Sequence, residues 1–275
     1  MVDLRPVGYV IGLLIAALGA SMLIPMGVDL LVQNGHWMSF LQASVVCTLL
    51  GLFIALACGN AVTRGLTIQQ SFLLPTTLWA ILPVFGALPF VIGATEAQFV
   101  DAMFEAMSGM TTTGATVLSE LDRLPEGLLL WRSMLQWFGG IGIVVVAMVF
   151  LPELRVGGMQ VFRTEGFDTM GKILPRATQI SGQISTIYIV LTLLCTAAYA
   201  AAGQSFFQAA NHAMTTVATG GFATTDGSFA DHSGASEYIA VVFMIAASLP
   251  FVRYIQLIGG SATPLLRDRL VRAML

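Results

Sequence analysis

Charge is what this chain has least of. Only 10% of its 275 residues are charged, against 56% hydrophobic, and its mean hydropathy is +0.84. Soluble domains carry roughly 25% charged residues, so a water-soluble core of this size is a poor reading and a polytopic helical membrane protein a good one. Regular apolar/polar alternation in ten-residue segments is also missing, which argues against an outer-membrane barrel. Cysteine is scarce: Cys47, Cys58 and Cys195 all sit inside apolar runs, without a CxxC pair. They are expected to be small buried apolar residues rather than a metal or redox site. A cleavable leader is not expected, because Asp3 and Arg5 precede an apolar stretch too long for one. Intramembrane hydrolysis lacks its parts as well: Ser261 has no histidine near it, and no two spans carry facing aspartates. The chain is not expected to be an enzyme or to bind nucleic acid.

Six apolar runs are present, near 7–32, 38–59, 71–93, 127–151, 183–202 and 236–258. Each is long enough to cross a ~30 Å hydrocarbon core, which takes about 20 helical residues. Pro25 is expected to kink the first, and Gly8 with Gly12 forms a small-xxx-small face for close helix contact. Six spans place both ends on one side. The connectors on that side hold Arg64, Arg155, Arg163, Lys172, Arg176, Arg267, Arg269 and Arg272, whereas the opposite ones are acidic, with Arg123 and Arg132 their only bases. The positive-inside rule then predicts cytoplasmic termini. Outer acids such as Glu96, Asp101, Glu120 and Asp226 would raise the local cation concentration.

Two stretches between spans are one motif written twice. Phe99–Ser108 leads into Thr111-Thr112-Thr113-Gly114-Ala115-Thr116, and Phe206–Thr215 leads into Ala218-Thr219-Gly220-Gly221-Phe222-Ala223. The register is gapless, pairing Ala106 with Ala213, Thr112 with Thr219 and Gly114 with Gly221. A helix over 98–110 reaches about 20 Å at 1.5 Å per residue, too short to span, and it carries Asp101 and Glu105, which are unfavourable facing lipid. The Thr/Gly run that follows should leave helical geometry. Non-helical backbone at membrane depth is tolerated where it lines a cavity, and carbonyls there can replace water around an ion. Glycine permits the positive φ that turns successive carbonyls to one axis. Each copy therefore has the pattern of a re-entrant pore loop between two spans.

Four segments carry a family resemblance: Phe104–Thr116, Trp137–Val145, Gly157-Gly158-Met159-Gln160 and Thr216–Thr224. Together they resemble the Trk-type potassium uptake family of the Trk/Ktr/HKT superfamily, and specifically its TrkH-like membrane subunit. The resemblance implies an all-α membrane fold, an N-terminal hairpin followed by M1–P–M2 pore-loop repeats of a four-repeat, potassium-channel-like architecture. It implies a filter for K+ made by Thr112, Thr113, Gly114 and Ala115 in the first repeat and Thr219, Gly220, Gly221 and Phe222 in the second. Glycine at 114 and 221 goes with potassium preference in the superfamily, and serine in the first repeat with sodium. The divisions it implies are a hairpin over 1–62, a first repeat over 63–151, a cytoplasmic connector over 152–182, a second repeat over 183–260 and a lead-in to a third over 261–275. The family's third and fourth repeats are not in these 275 residues, so a truncated or split half of a pore subunit is expected, with two paired copies as the alternative. The implied setting is the bacterial inner membrane. The implied partners are lipid, a homodimeric mate or complementary half, and a cytosolic nucleotide-binding TrkA-like regulator; no cofactor is implied beyond the transported ion.

Other features carry structural expectations. Gly139-Gly140-Ile141-Gly142 lies in an apolar helix with no preceding strand, so close packing is expected rather than a dinucleotide site. Glu105 and His212 hold equivalent places on the two short helices and could face an outer vestibule or the protein interior. Arg253 is expected to snorkel to the cytoplasmic side, while His36 and His232 are expected in outer loops without ligand partners. A secondary transporter with re-entrant helices for another cation such as sodium is the nearest rival function, although its repeats are often inverted and these are parallel. A non-conducting membrane fragment is the other alternative.

Overall fold

The computed structural model describes residues 3–61, 67–150, 177–231 and 234–274. Arg64, His232 and the connector bases Arg155, Arg163, Lys172 and Arg176, with the short interfacial helix expected among the latter, lie outside the described residues. Among the described residues every regular element is helical. The chain packs as two units: the residues up to Gln136 with Phe222–Asp226, and Trp137–Gly221 with the residues from Gly227 onward. Among the described residues four helical stretches are long and apolar enough to cross a membrane: Arg5–Val32, Trp37–Cys58, Gln69–Ile92 and Ser181–Ala201.

The first unit opens with α1 (Arg5–Ser21), α2 (Leu23–Val32) and α3 (Trp37–Cys58). Helical geometry lapses at Met22, three residues ahead of Pro25, because the proline ring crowds the carbonyl four residues back, that of Ser21. The expected small-residue face is used in full. A Cβ on Gly12 would lie 2.6 Å from the Ala55 nitrogen, and one on Gly51 would lie 2.5 Å from the Ala16 nitrogen. Helices α1 and α3 therefore meet backbone to backbone, with Gly8 against the Cys58 sulfur and Gly19 against Cys47.

Asp29, at the end of α2, is fully buried. Its carboxylate accepts from Gly127 N at 2.7 Å, Asn34 Nδ2 at 2.6 Å and His36 Nδ1 at 3.1 Å. His36 Nε2 accepts from Ala94 N at 2.8 Å, so Nδ1 carries the proton toward Asp29. His36, in the turn before α3, is thus engaged on both ring nitrogens. Asp29→Ala strands these donors, at ~1–3 kcal/mol for each buried group left unsatisfied. It should lower the thermal unfolding midpoint in detergent while leaving helical content intact; an unchanged midpoint would refute this role for Asp29.

The chain continues through α4 (Ile68–Gly86), α5 (Leu88–Ile92), α6 (Phe99–Met110) and α7 (Glu126–Phe150), and the unit boundary falls within α7 after Gln136. Helix α4 starts at a capping box, with Gln70 N donating to Thr67 Oγ1 at 3.3 Å and Thr67 N to Gln70 Oε1 at 2.8 Å. Trp131 on α7 donates its indole N–H to the Gly86 carbonyl at 2.9 Å, locking α7 to the end of α4.

The second unit holds the remainder of α7, then α8 (Ala177–Ala201), α9 (Phe206–Val217), α10 (Ala235–Ser248), α11 (Phe251–Ile258), α12 (Thr263–Arg267) and α13 (Arg269–Met274). Ile184, Tyr188, Cys195 and Tyr199 line one face of α8 and form a core with Ala209 and Ala213 of α9. Gly140 does what close packing predicts, since a Cβ there would lie 2.5 Å from the Tyr188 hydroxyl. The sixth apolar run is not the continuous span expected over 236–258. Helices α10 and α11 meet at 86°, because Pro250 has no N–H to continue the ladder and holds Leu249 extended at φ −70°, ψ 149°. Arg253 does not simply snorkel. It binds Asp268 through Nε at 2.7 Å and a terminal nitrogen at 2.6 Å. Burial opposes ionisation of Asp268, yet the Arg253 guanidinium and the N–H groups of Leu270 and Val271 hold its carboxyl below the usual carboxylate range. This contact therefore stabilises the fold at neutral pH and is lost as pH falls through the lowered value.

Candidate ion-coordinating loops

Helices α6 and α9 are each 12 residues long, a rise of about 18 Å and too short to cross a bilayer. Both end in the same way. Thr112 N donates to Gly109 O and Thr113 N to Ser108 O, each at 2.9 Å, while Thr219 N donates to Thr216 O and Gly220 N to Thr215 O, again at 2.9 Å. These are equivalent positions of the two copies, so the loops leave their helices by one backbone path.

The dihedrals repeat too. Thr112 has φ 55° and Gly114 77°; Thr219 has φ 54° and Gly221 78°. Thr113 and Gly220, between them, stay on the ordinary side. Positive φ at the glycines follows from their lack of a Cβ. At the threonines it does not, because a β-branched residue there is a rare outlier held against about 1–3 kcal/mol of strain. Sequence reasoning missed these two; the signal available was a threonine two places before the glycine in both copies. Among the described residues nothing donates a hydrogen bond to the carbonyls of Thr112, Thr113, Gly114, Thr219, Gly220 or Gly221. The two remaining residues singled out by sequence differ from these six. The Ala115 carbonyl accepts from Ser108 Oγ at 2.5 Å. The Phe222 ring is buried beneath the Arg132 guanidinium, 4.3 Å from the ring centroid.

The supports behind the loops are side chains. Thr111 Oγ1 donates to Met107 O at 2.7 Å and lies 2.8 Å from Thr113 Oγ1. Glu105 and Arg132 both face the interior, 0% and 1% exposed, with Arg132 Nε donating to Glu105 Oε1 at 2.8 Å. His212, at the position equivalent to Glu105, is also interior. It pairs through Nδ1 with Gln204 Oε1 at 2.8 Å, and Gln204 Nε2 donates to Ser236 Oγ at 3.0 Å. Tyr199 Oη lies 2.8 Å from Thr216 Oγ1 at the end of α9. The equivalent positions of the two copies thus have different partners, Arg132 for Glu105 and Gln204 for His212. No group of three or more His, Cys, Asp or Glu placed to hold a metal ion occurs among the described residues.

The chain resembles known proteins along nearly its whole length. It is 43% identical over 208 residues to the Trk system potassium uptake protein TrkI of Halomonas elongata, covering 75% of this chain and 42% of that protein. It is 37% identical over 276 residues to the Trk system potassium uptake protein TrkH of Escherichia coli K12, covering 96% of this chain and 56% of that one. The crystal structure of the potassium transporter TrkH from Vibrio parahaemolyticus superposes with a TM-score of 0.88 at 33% identity, over 99% of this chain and 56% of that one. The chain therefore spans about half the length of the curated relatives it matches. Residues 36–265 match the TrkH family, described as a cation transport protein, and the chain belongs to that family.

Proposed function

We propose that this chain contributes two pore loops to a potassium uptake pathway through the bacterial inner membrane. The carrying observation is six carbonyls that accept no hydrogen bond from the described residues, at matched positions in two loops that alternate φ in the same order. In an extended strand successive carbonyls point to opposite sides; alternating the sign of φ brings them to one side, where they can replace the water of a dehydrating cation. Thr112, Thr113 and Gly114 act in the first loop, and Thr219, Gly220 and Gly221 in the second. Ala115 stands at the edge of the first set because Ser108 occupies its carbonyl, and Phe222 adds its carbonyl alone. Two loops make half of a four-loop ring, so conduction requires further loops from outside these 275 residues.

The loops open outward under the positive-inside assignment, with both ends of the chain cytoplasmic. The basic connector bearing Arg155, Arg163, Lys172 and Arg176 then faces the cytosol and is the surface on which a nucleotide-binding regulator would dock, and the membrane assembly is a homodimer. These follow the family pattern and the charge distribution of the sequence.

Thiol labelling tests the filter reading. With Cys47, Cys58 and Cys195 replaced, Thr112→Cys and Thr219→Cys are expected to react with an impermeant reagent from outside only, and more slowly when potassium replaces a large organic cation. Labelling from the inside, or potassium-independent rates, would sink it.

A further inference from the structure

We propose that Arg132 is a positioning residue for ion selectivity, its buried pair with Glu105 fixing the place where both loops leave the filter. This rests on the reading of the loops as a filter. One guanidinium reaches the equivalent residue of each copy: Nη2 donates to Thr116 Oγ1 at 3.2 Å, and Nη1 to the Ala223 carbonyl at 2.9 Å. Thr116 stands two residues after Gly114, and Ala223 two after Gly221. The third edge, Nε, goes to Glu105 Oε1 at 2.8 Å, and the flat face covers Phe222. Gln136, one turn further along α7, accepts from Phe222 N at 3.1 Å. A single helix therefore grips the two residues that follow Gly221, and through Glu105 and Thr116 the exit of the first loop.

Glu105 completes the arrangement. Thr116 Oγ1 lies 2.9 and 3.0 Å from its two oxygens, and Val117 N donates to Oε2 at 3.1 Å. A buried ion pair is weak evidence for a stability role, since well-packed apolar residues often serve as well. The second copy places a different partner at this position, since His212, equivalent to Glu105, is buried against Gln204 rather than an arginine. What the pair supplies that a neutral contact cannot is a rigid fork with three separately aimed edges. Because each edge ends on a different segment, displacing the fork moves both loop exits together, and with them the carbonyls two residues upstream.

The test is uptake of potassium and of sodium by the full chain as its host encodes it, in cells lacking other potassium uptake, scaled to the protein in the membrane. Arg132→Lys keeps the charge but not the fork; Thr116→Val keeps the ion pair but removes the hydroxyl that both Arg132 and Glu105 hold at the first loop exit. A charge-assisted hydrogen bond carries roughly a tenfold bias, so Arg132→Lys is expected to lower the potassium-over-sodium ratio by about tenfold, and Thr116→Val to lower it in the same direction. A merely structural role would reduce the amount of protein and leave the ratio per molecule alone. Should Arg132→Lys fail to reach the membrane, Thr116→Val decides. An unchanged ratio in the variants that do reach it, beside a lowered one for Gly114→Ser, overturns the positioning role and leaves the filter reading standing. An unchanged ratio for Gly114→Ser overturns the filter reading and this inference with it.

Discussion

Gly114→Ser is expected to lower the potassium-over-sodium uptake ratio by about tenfold, the factor set by a left-handed-region penalty of ~1–2 kcal/mol. Gly114 sits at φ 77°, where a side chain crowds its own backbone, so the loop relaxes by rotating the Gly114 peptide and displacing its free carbonyl. Gly221 separates this conformational effect from crowding by neighbours. It lies at φ 78°, and a Cβ added there meets nothing within 4 Å. Substitutions at 221 should therefore rank by tolerance of the left-handed region, with Gly221→Asn mildest, Gly221→Ala intermediate and Gly221→Val most damaging. Ratios that followed side-chain volume instead, with Gly221→Ala milder than Gly221→Asn, would show that space rather than φ governs the site.

Much of this was legible in the residues. The gapless repeat located the first short helix to within a residue and the start of the second, because each semi-polar segment runs into Thr and Gly residues that are poor at continuing a helix. Gly12 and Gly140 were legible as packing positions, since a glycine in an apolar helix usually marks close approach. The misses share a cause: each depends on a partner distant in sequence or on a local competition between rules. Arg132 reads as an outer-side base by charge counting, and only folding brings it to Glu105, 27 residues earlier. His36 is a loop residue as expected, but its hydrogen bonds to Asp29 and Ala94 appear only once those residues are placed around it. At Leu249-Pro250 composition supported a continuous apolar span, but the backbone rule for proline prevailed over it, giving the 86° bend. The left-handed threonines are the hardest case. Propensity argues against them, and the hydrogen bonds that anchor each loop to its helix form only once the chain has folded.

The hairpin offers the largest effect on folding. Gly51→Leu is expected to leave little or no folded protein in the membrane. Overpacking a core by a few methylenes typically destabilises by roughly 1–3 kcal/mol when neighbouring side chains can give way. Here the atoms met are backbone, Ala16 N at 2.5 Å and Gly12 O at 2.6 Å, so helices α1 and α3 must separate along their whole contact. That loss is comparable with a total stability of about 5–15 kcal/mol. Gly27→Leu is the matched control, since nothing lies within 4 Å of a Cβ at Gly27, and its yield of monodisperse protein in detergent should equal that of the parent. Gly12 and Gly51 meet at one crossing, so their effects should not add: Gly12→Ala with Gly51→Ala should be little worse than either alone, because the first change already parts the helices. Parent-like yield and unfolding midpoint for Gly51→Leu, or full additivity of the two alanine changes, would mean that the backbone contact is not what holds the hairpin closed.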